Sequence, residues 1–138
     1  GGGLTWHGPG QLVVYPIIHW NKEDEKSVAD IISKIESWVI ASLEALGITG
    51  YRDERMQGVW ADDKKICSIG LSFLRWVSRH GFTINYDTPK GRVENLAGCG
   101  LSESTTTSLK QLGYAIERKQ LEHALVKHMH QHLQRKEA

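Results

Sequence analysis

Cys99 stands between Gly98 and Gly100, just ahead of a hydroxyl-rich stretch at residues 102–107. A thiol near a helix N-terminus has its thiolate stabilised by the positive end of the helix dipole. A free thiol of pKa about 8.5 is otherwise only a few per cent ionised at neutral pH. The position suits a nucleophile, and the competing role for a lone cysteine is that of a small buried hydrophobe. Cys67, inside the apolar run Ile66-Cys67-Ser68-Ile69, reads as the second kind. Lys65 opens that run and Lys64 precedes it, so strand alternation sends their two ammonium groups to opposite faces and one of them can point inward. Aimed at Cys99, a lysine favours the thiolate as a neighbouring cation, or acts as a base where desolvation lowers its own pKa. Without that partner it is a solvated hairpin charge.

Residues 1–11, GGGLTWHGPGQ, interleave glycines with Thr5, His7 and Gln11. Glycine permits positive φ and close backbone approach, so the segment reads either as a loop built around a ligand or as a chain end with an ordinary turn at Gly8-Pro9-Gly10. His123, His128, His130 and His132 crowd the C-terminal region, with His128 and His132 one helical turn apart. No His-Glu-x-x-His pattern or third ligand accompanies them, so no metal is expected. Trp38 lies on an apolar helical stripe and is expected in the core.

The elements that position these residues follow from periodicity. Residues 12–18 form an apolar, β-branched run that Pro16 assigns to a sheet edge or a bulge. Ser27 and Asp30 make a capping-box pattern. Apolar residues then recur at Val28, Ile31, Ile32, Ile35, Trp38, Val39, Leu43 and Leu46 up to Gly47, which predicts an amphipathic helix of about five turns. Residues 58–60, 65–73 and 82–85 are β-rich, and Ala61-Asp62-Asp63-Lys64 reads as a hairpin turn between the first two. A short helix is expected before Leu109 and Leu112, stopped by Gly113. A last helix is expected over 117–135, packing Leu121, Leu125, Met129 and Leu133. The class is α+β, a mixed and largely antiparallel sheet flanked by helices.

A chain of 138 residues with 40% hydrophobic content fits one globular domain. Lys+Arg 17 against Asp+Glu 16, with no run of five like charges, lacks the footprint of a nucleic-acid binder. No apolar run approaches the ~20 residues that span a bilayer, and no charged-then-apolar leader precedes the core, so a soluble intracellular chain is expected. Two cysteines make no disulfide framework.

Five motifs in order carry a resemblance: Gly1-Gly2-Gly3-Leu4-Thr5-Trp6-His7-Gly8-Pro9-Gly10-Gln11, Arg55-Met56-Gln57-Gly58-Val59-Trp60, Lys65-Ile66-Cys67-Ser68-Ile69-Gly70, His80-Gly81-Phe82-Thr83-Ile84-Asn85, and Cys99-Gly100. Together they resemble the lipoyl(octanoyl) transferase family, within the biotin and lipoate protein ligase superfamily. The resemblance implies the catalytic-domain fold of those ligases. It also implies transfer of an octanoyl group from acyl carrier protein to a lysine of a lipoyl domain through a cysteine thioester. It assigns catalysis to Cys99, with Lys65 tuning it. Substrate binding is assigned to Gly1, Gly2, Gly3, Leu4, Thr5, Trp6 and His7, to Ser68, Ile69 and Gly70, and to Gly81, Phe82 and Thr83.

The implied partners are octanoyl-acyl carrier protein as donor, and lipoyl domains of 2-oxoacid dehydrogenase complexes and the glycine cleavage H protein as acceptors. No nucleic acid, membrane or cofactor is implied, and the implied compartment is the cytoplasm. Residues 1–138 are then read as a single acyltransferase catalytic domain lacking its N-terminal segment. The family usually has an Arg and a sizeable stretch before the first glycines, and a Pro where this chain has Gly98. Two other readings stay open: an ATP-dependent lipoate or biotin ligase of the same fold, and a non-catalytic acyl or carrier-protein binding module. The phosphate cradle Gly-x4-Gly-Lys-Ser/Thr does not occur in the sequence.

Overall fold

The computed structural model describes residues 8–88 and 106–135. Its elements are β1 (Gln11–Val14), α1 (Val28–Glu44), β2 (Val59–Ala61), β3 (Lys64–Leu74), β4 (Val77–Asn85) and α2 (Arg118–Leu133). The strands form one antiparallel sheet in the order β1-β4-β3-β2.

Two tight turns build it. Asp62 and Asp63 take left-handed backbone at φ 48 and 64°, the two-residue hairpin geometry that matches strand twist and that the sequence signals at 61–64. Arg75 and Trp76 do the same at φ 50 and 66°, although neither residue type advertises it. β4 therefore starts at Val77, well before the β-rich run 82–85. β1 is an edge strand, as Pro16 requires. Beyond it residues 16–19 run on beside β4, with Ser78 donating through its amide to Ile18 O at 3.0 Å and through its hydroxyl to Pro16 O.

α1 begins where expected, the Ser27 hydroxyl accepting the Asp30 N–H at 3.1 Å. Its stripe of Ile31, Ile35, Trp38, Val39 and Leu43 is buried in one core with Leu12, Cys67, Ile69, Phe82 and Ile84 of the sheet. Burying each large aliphatic side chain here contributes about 2 kcal/mol. Trp38 stacks edge-on against Phe82 at 5.4 Å and donates its indole N–H to Leu125 O at 2.8 Å, locking α2 alongside α1. Leu121, Leu125 and Leu133 are the buried leucines of α2.

Among the described residues, the short helix expected before Gly113 is not present over 106–113. Thr106 pairs in parallel with Lys65, and residues 108–113 make a single turn in which Ser108 Oγ accepts the Gln111 N–H. Leu109 N–H donates to Asn85 O at 2.8 Å and Lys110 N–H to Tyr86 O at 3.0 Å, which docks this turn on the end of β4, and Gly113 at φ +98° ends it. Among the described residues no helix is long and apolar enough to cross a membrane.

Candidate active site

Lys65 is 3% exposed, an unusual burial for an ammonium, whereas Lys64 is half-buried. Opposite it the register slips: Val59 faces Cys67 and Trp60 faces Lys65, so one step of β2 spans two of β3 and side-chain alternation is interrupted. Lys65 Nζ donates to Met56 Sδ at 3.2 Å. That methionine belongs to a segment held along the edge of β3. Trp60 Nε1 donates to Met56 O at 3.1 Å and Gln57 Nε2 donates to Ile69 O at 3.3 Å.

Gly58 turns at φ +138° so close to β3 that a Cβ on it would sit 2.2 Å from Cys67 O and 3.0 Å from Lys65 Cε. Only glycine permits that approach. Its N–H donates to Glu36 Oε2 at 3.2 Å, while Arg52 Nε donates to Glu36 Oε1 at 3.0 Å. Arg55 caps the segment from outside, its guanidinium 4.2 Å from the Trp60 ring centre.

Cys67 is 1% exposed. Burial pushes its thiol up to about 12, the charge of Lys65 pulling it down only in part and that of Glu36 adding to the rise. A thiol so raised is not a nucleophile at neutral pH.

Next to Lys65 along β3 lies a strip shared with β4, in which Ser68 pairs with Thr83, Ile69 with Phe82 and Gly70 with Gly81. Ile69 and Phe82 point into the core beneath α1. By alternation Ser68, Gly70 and Thr83 occupy the opposite face. The two glycines of the strip differ in role. A Cβ on Gly70 would meet nothing within 4 Å, so this position is open. One on Gly81 would lie 1.8 Å from Val14 O and 2.7 Å from Pro16 Cδ, so Gly81 lets the β1 chain cross at close range. Gly10 serves a similar purpose against Asp87 O.

Gln11, the last residue of the glycine-rich segment, donates through Nε2 to Asn85 Oδ1 at 2.9 Å, and Asn85 Nδ2 donates to Thr107 O at 3.3 Å. This buried amide pair stands on the same face as Ser68 and Thr83. Thr107 N–H also donates to Lys65 O at 3.0 Å. The chain on the far side of residues 89–105 is thus stitched to both Lys65 and Asn85.

Of the residues assigned from the sequence, the structure gathers Lys65, Ser68, Gly70 and Thr83 at one end of the sheet and sets Ile69 and Phe82 behind them. Gly81 supports β1. Gly1, Gly2, Gly3, Leu4, Thr5, Trp6, His7 and Cys99 lie outside the described residues. The arrangement can stabilise a nearby anion through the ammonium, and the strip beside it is open at Gly70. Sequence reasoning missed Glu36. The signal was a carboxylate four residues after Ile32 and three before Val39, inside the apolar stripe of α1. His128 and His132 rings are 6.4 Å apart, and no group of three metal-ligating side chains converges among the described residues.

Residues 1–130 match the family described as the lipoyl protein ligase A/B catalytic domain. An octanoyltransferase of Caldanaerobacter subterraneus subsp. tengcongensis is 40% identical over 117 residues, covering 85% of this chain and 51% of that protein. An octanoyltransferase of Syntrophobacter fumaroxidans is 44% identical over 112 residues, covering 81% and 49%. The chain therefore spans about half the length of these curated relatives. Among solved structures, the bi-partite lipoate protein ligase of Thermoplasma acidophilum superposes with a TM-score of 0.74 at 15% identity, covering 99% of this chain and 58% of that one. Biotin protein ligase from Aquifex aeolicus gives 0.71 at 16%, covering 91% and 53%. These two likenesses show the fold.

Proposed function

The chain belongs to the lipoyl protein ligase A/B catalytic domain family, and within it we propose an octanoyltransferase that moves the acyl group from acyl carrier protein to a lysine of a lipoyl domain, with Cys99 as covalent carrier. The identity to curated octanoyltransferases supports the activity. The observation that carries the residue assignment is the pairing of Thr106 with the buried Lys65. Thr106 stands seven residues after Cys99, so the chain keeps the Cys99 backbone within about 25 Å of Thr106 and the strand that carries Lys65.

In the first half-reaction Lys65, starting as the free amine, takes the Cys99 proton to become the ammonium, and the thiolate attacks the carbonyl carbon of the carrier thioester. The carbon–sulfur bond to the carrier breaks, and its departing thiolate recovers the proton from Lys65. One thioester has replaced another at nearly equal free energy. In the second half-reaction the amine of the target lysine attacks the acyl-Cys99 carbonyl, Lys65 accepts the proton shed by that nitrogen, and Cys99 leaves as thiolate. The amide product is downhill from a thioester, so no ATP is required. Two protein substrates use one site in turn, the ping-pong logic of covalent catalysis. Backbone amides at Cys99-Gly100 are the candidate donors to the tetrahedral oxyanion.

Ser68, Gly70 and Thr83, with the loop of Gly1, Gly2, Gly3, Leu4, Thr5, Trp6 and His7, are proposed to line the acyl slot. The backbone of Ile69, Gly81 and Phe82 is proposed to form its floor. Acceptors are proposed to be lipoyl domains of 2-oxoacid dehydrogenase complexes and the glycine cleavage H protein, met in the cytoplasm.

Intact-mass analysis after incubation with octanoyl carrier protein tests the reading. Wild type gains one octanoyl increment and Cys99→Ala none; equal labelling of both overturns the thioester. Lys65→Ala is expected to raise the apparent pKa of the Cys99 thiol, read as an alkaline shift in its alkylation rate. An unchanged profile removes Lys65 from the mechanism.

A further inference from the structure

A buried carboxylate outside the assigned site connects to it through a single backbone amide. Glu36 lies on the apolar stripe of α1 and is 8% exposed. An ionised carboxylate taken out of water persists only where donors replace the lost hydration. Here the two oxygens are used separately: Oε1 accepts Arg52 Nε at 3.0 Å and Oε2 accepts the Gly58 N–H at 3.2 Å. Arg52 is itself fixed, its Nη2 donating to Ser33 O at 2.8 Å and to Ser37 Oγ at 2.5 Å, so α1 presents the carboxylate in one orientation.

The amide it holds belongs to Gly58, where an added Cβ would lie 2.2 Å from Cys67 O and 3.0 Å from Lys65 Cε. Two residues upstream the same segment offers Met56 Sδ to the Lys65 ammonium. Displacing this turn outward therefore removes both the surface against which the lysine stem rests and the thioether that receives its head.

We infer that Glu36 is a positioning residue for the transfer reaction, a buried carboxylate that fixes the Gly58 turn and through it the reach of the Lys65 ammonium. The inference rests on the role proposed above for Lys65. Glu36 touches no substrate and moves no proton. The groups its two oxygens meet are the Arg52 guanidinium on the solvent side and the Gly58 N–H toward the sheet. The orientation of a reactive group depends on the hydrogen bonds one layer behind it, and Glu36 supplies one of these.

The test compares Glu36→Ala with Glu36→Gln, which keeps the volume and one oxygen able to accept from Gly58. Thermal unfolding first establishes the temperature at which each variant is folded. Single-turnover octanoyl transfer from octanoyl carrier protein is then followed across pH. In Glu36→Ala the rate is expected to fall about tenfold, the scale on which small misplacements of reacting groups act. The acid limb of the profile should move to higher pH with KM for the carrier protein unchanged. Glu36→Gln is expected to recover most of the rate. A folded Glu36→Ala with the wild-type rate and profile overturns the inference, as does a loss that Glu36→Gln shares in full.

Amide exchange at Gly58, measured by NMR, stands apart from activity. It should be protected in wild type and Glu36→Gln and fast in Glu36→Ala. If wild type takes no octanoyl group, the transfer reading fails by itself, and Gly58 protection still decides whether Glu36 holds the turn. Equal protection in all three proteins overturns the structural step.

Discussion

Glu25 offers a quantitative check on how the helical layer is tied to the rest of the chain. Its side chain is fully buried between residues 19–25 and the ends of both helices. It accepts Lys34 Nζ at 2.7 Å, Arg135 Nη1 and Nη2 at 2.8 and 2.7 Å, and the Lys22 N–H at 3.2 Å. Burial pushes the carboxyl up, but the hydrogen bonds from Arg135, Lys34 and Lys22, with the charge of Arg135, outweigh it and bring the group from 4.5 down to about 2. The direction fixes the sign of the linkage. Because the folded value is depressed, the stabilisation is complete above the unfolded value of 4.5 and is lost as pH falls toward about 2.

The drop from 4.5 to about 2 corresponds to roughly 3 kcal/mol at neutral pH, with less than half of that left near pH 3. The perturbation is Glu25→Gln and the assay is urea unfolding at pH 7 and pH 3. Wild type should lose about 2 kcal/mol more than the variant between the two. The variant at pH 7 should already be weaker by ~2 kcal/mol or more, since Lys34 and Arg135 keep their charges without the counter-charge. Parallel pH dependence in the two proteins would refute the reasoning, because it would mean that the ion cluster is too well hydrated for its geometry to matter.

Two further outcomes follow from the same structure. Gly81→Ala should destabilise by about 2 kcal/mol or more, because its Cβ would lie 1.8 Å from Val14 O, whereas Gly70→Ala, with nothing within 4 Å, should leave the unfolding midpoint within about 0.5 kcal/mol of wild type; equal losses would count against this difference in role. Iodoacetamide at pH 8 should leave Cys67 unmodified in the folded protein, its thiol being buried and pushed up to about 12, and peptide mapping that finds Cys67 alkylated as fast as in urea would contradict that burial.

The sequence by itself determined the elements whose signals are local. The period of apolar residues drew α1 and α2 to within a few residues, Ser27 set the start of the first, Pro16 marked the edge strand, and Asp62-Asp63 marked the first hairpin. The ordered motifs drew the family, and with it the catalytic reading of Lys65 and Cys99. Tertiary structure decided what depends on neighbours distant in sequence. The turn at Arg75-Trp76 carries no turn chemistry and exists because β3 and β4 pair along eight positions. Residues 108–113 form a single turn docked on the end of β4 through the Leu109 and Lys110 amides. Gly70 and Gly81 are identical in sequence, yet one faces open space and the other the β1 backbone. Glu36 stands inside the apolar stripe of α1, but its partner, the N–H of Gly58, lies 22 residues on and meets it only in the folded chain. Periodicity and capping are properties of adjacent residues and can be read from them, whereas burial, register and the partner of a buried charge come into being only when the sheet closes onto α1.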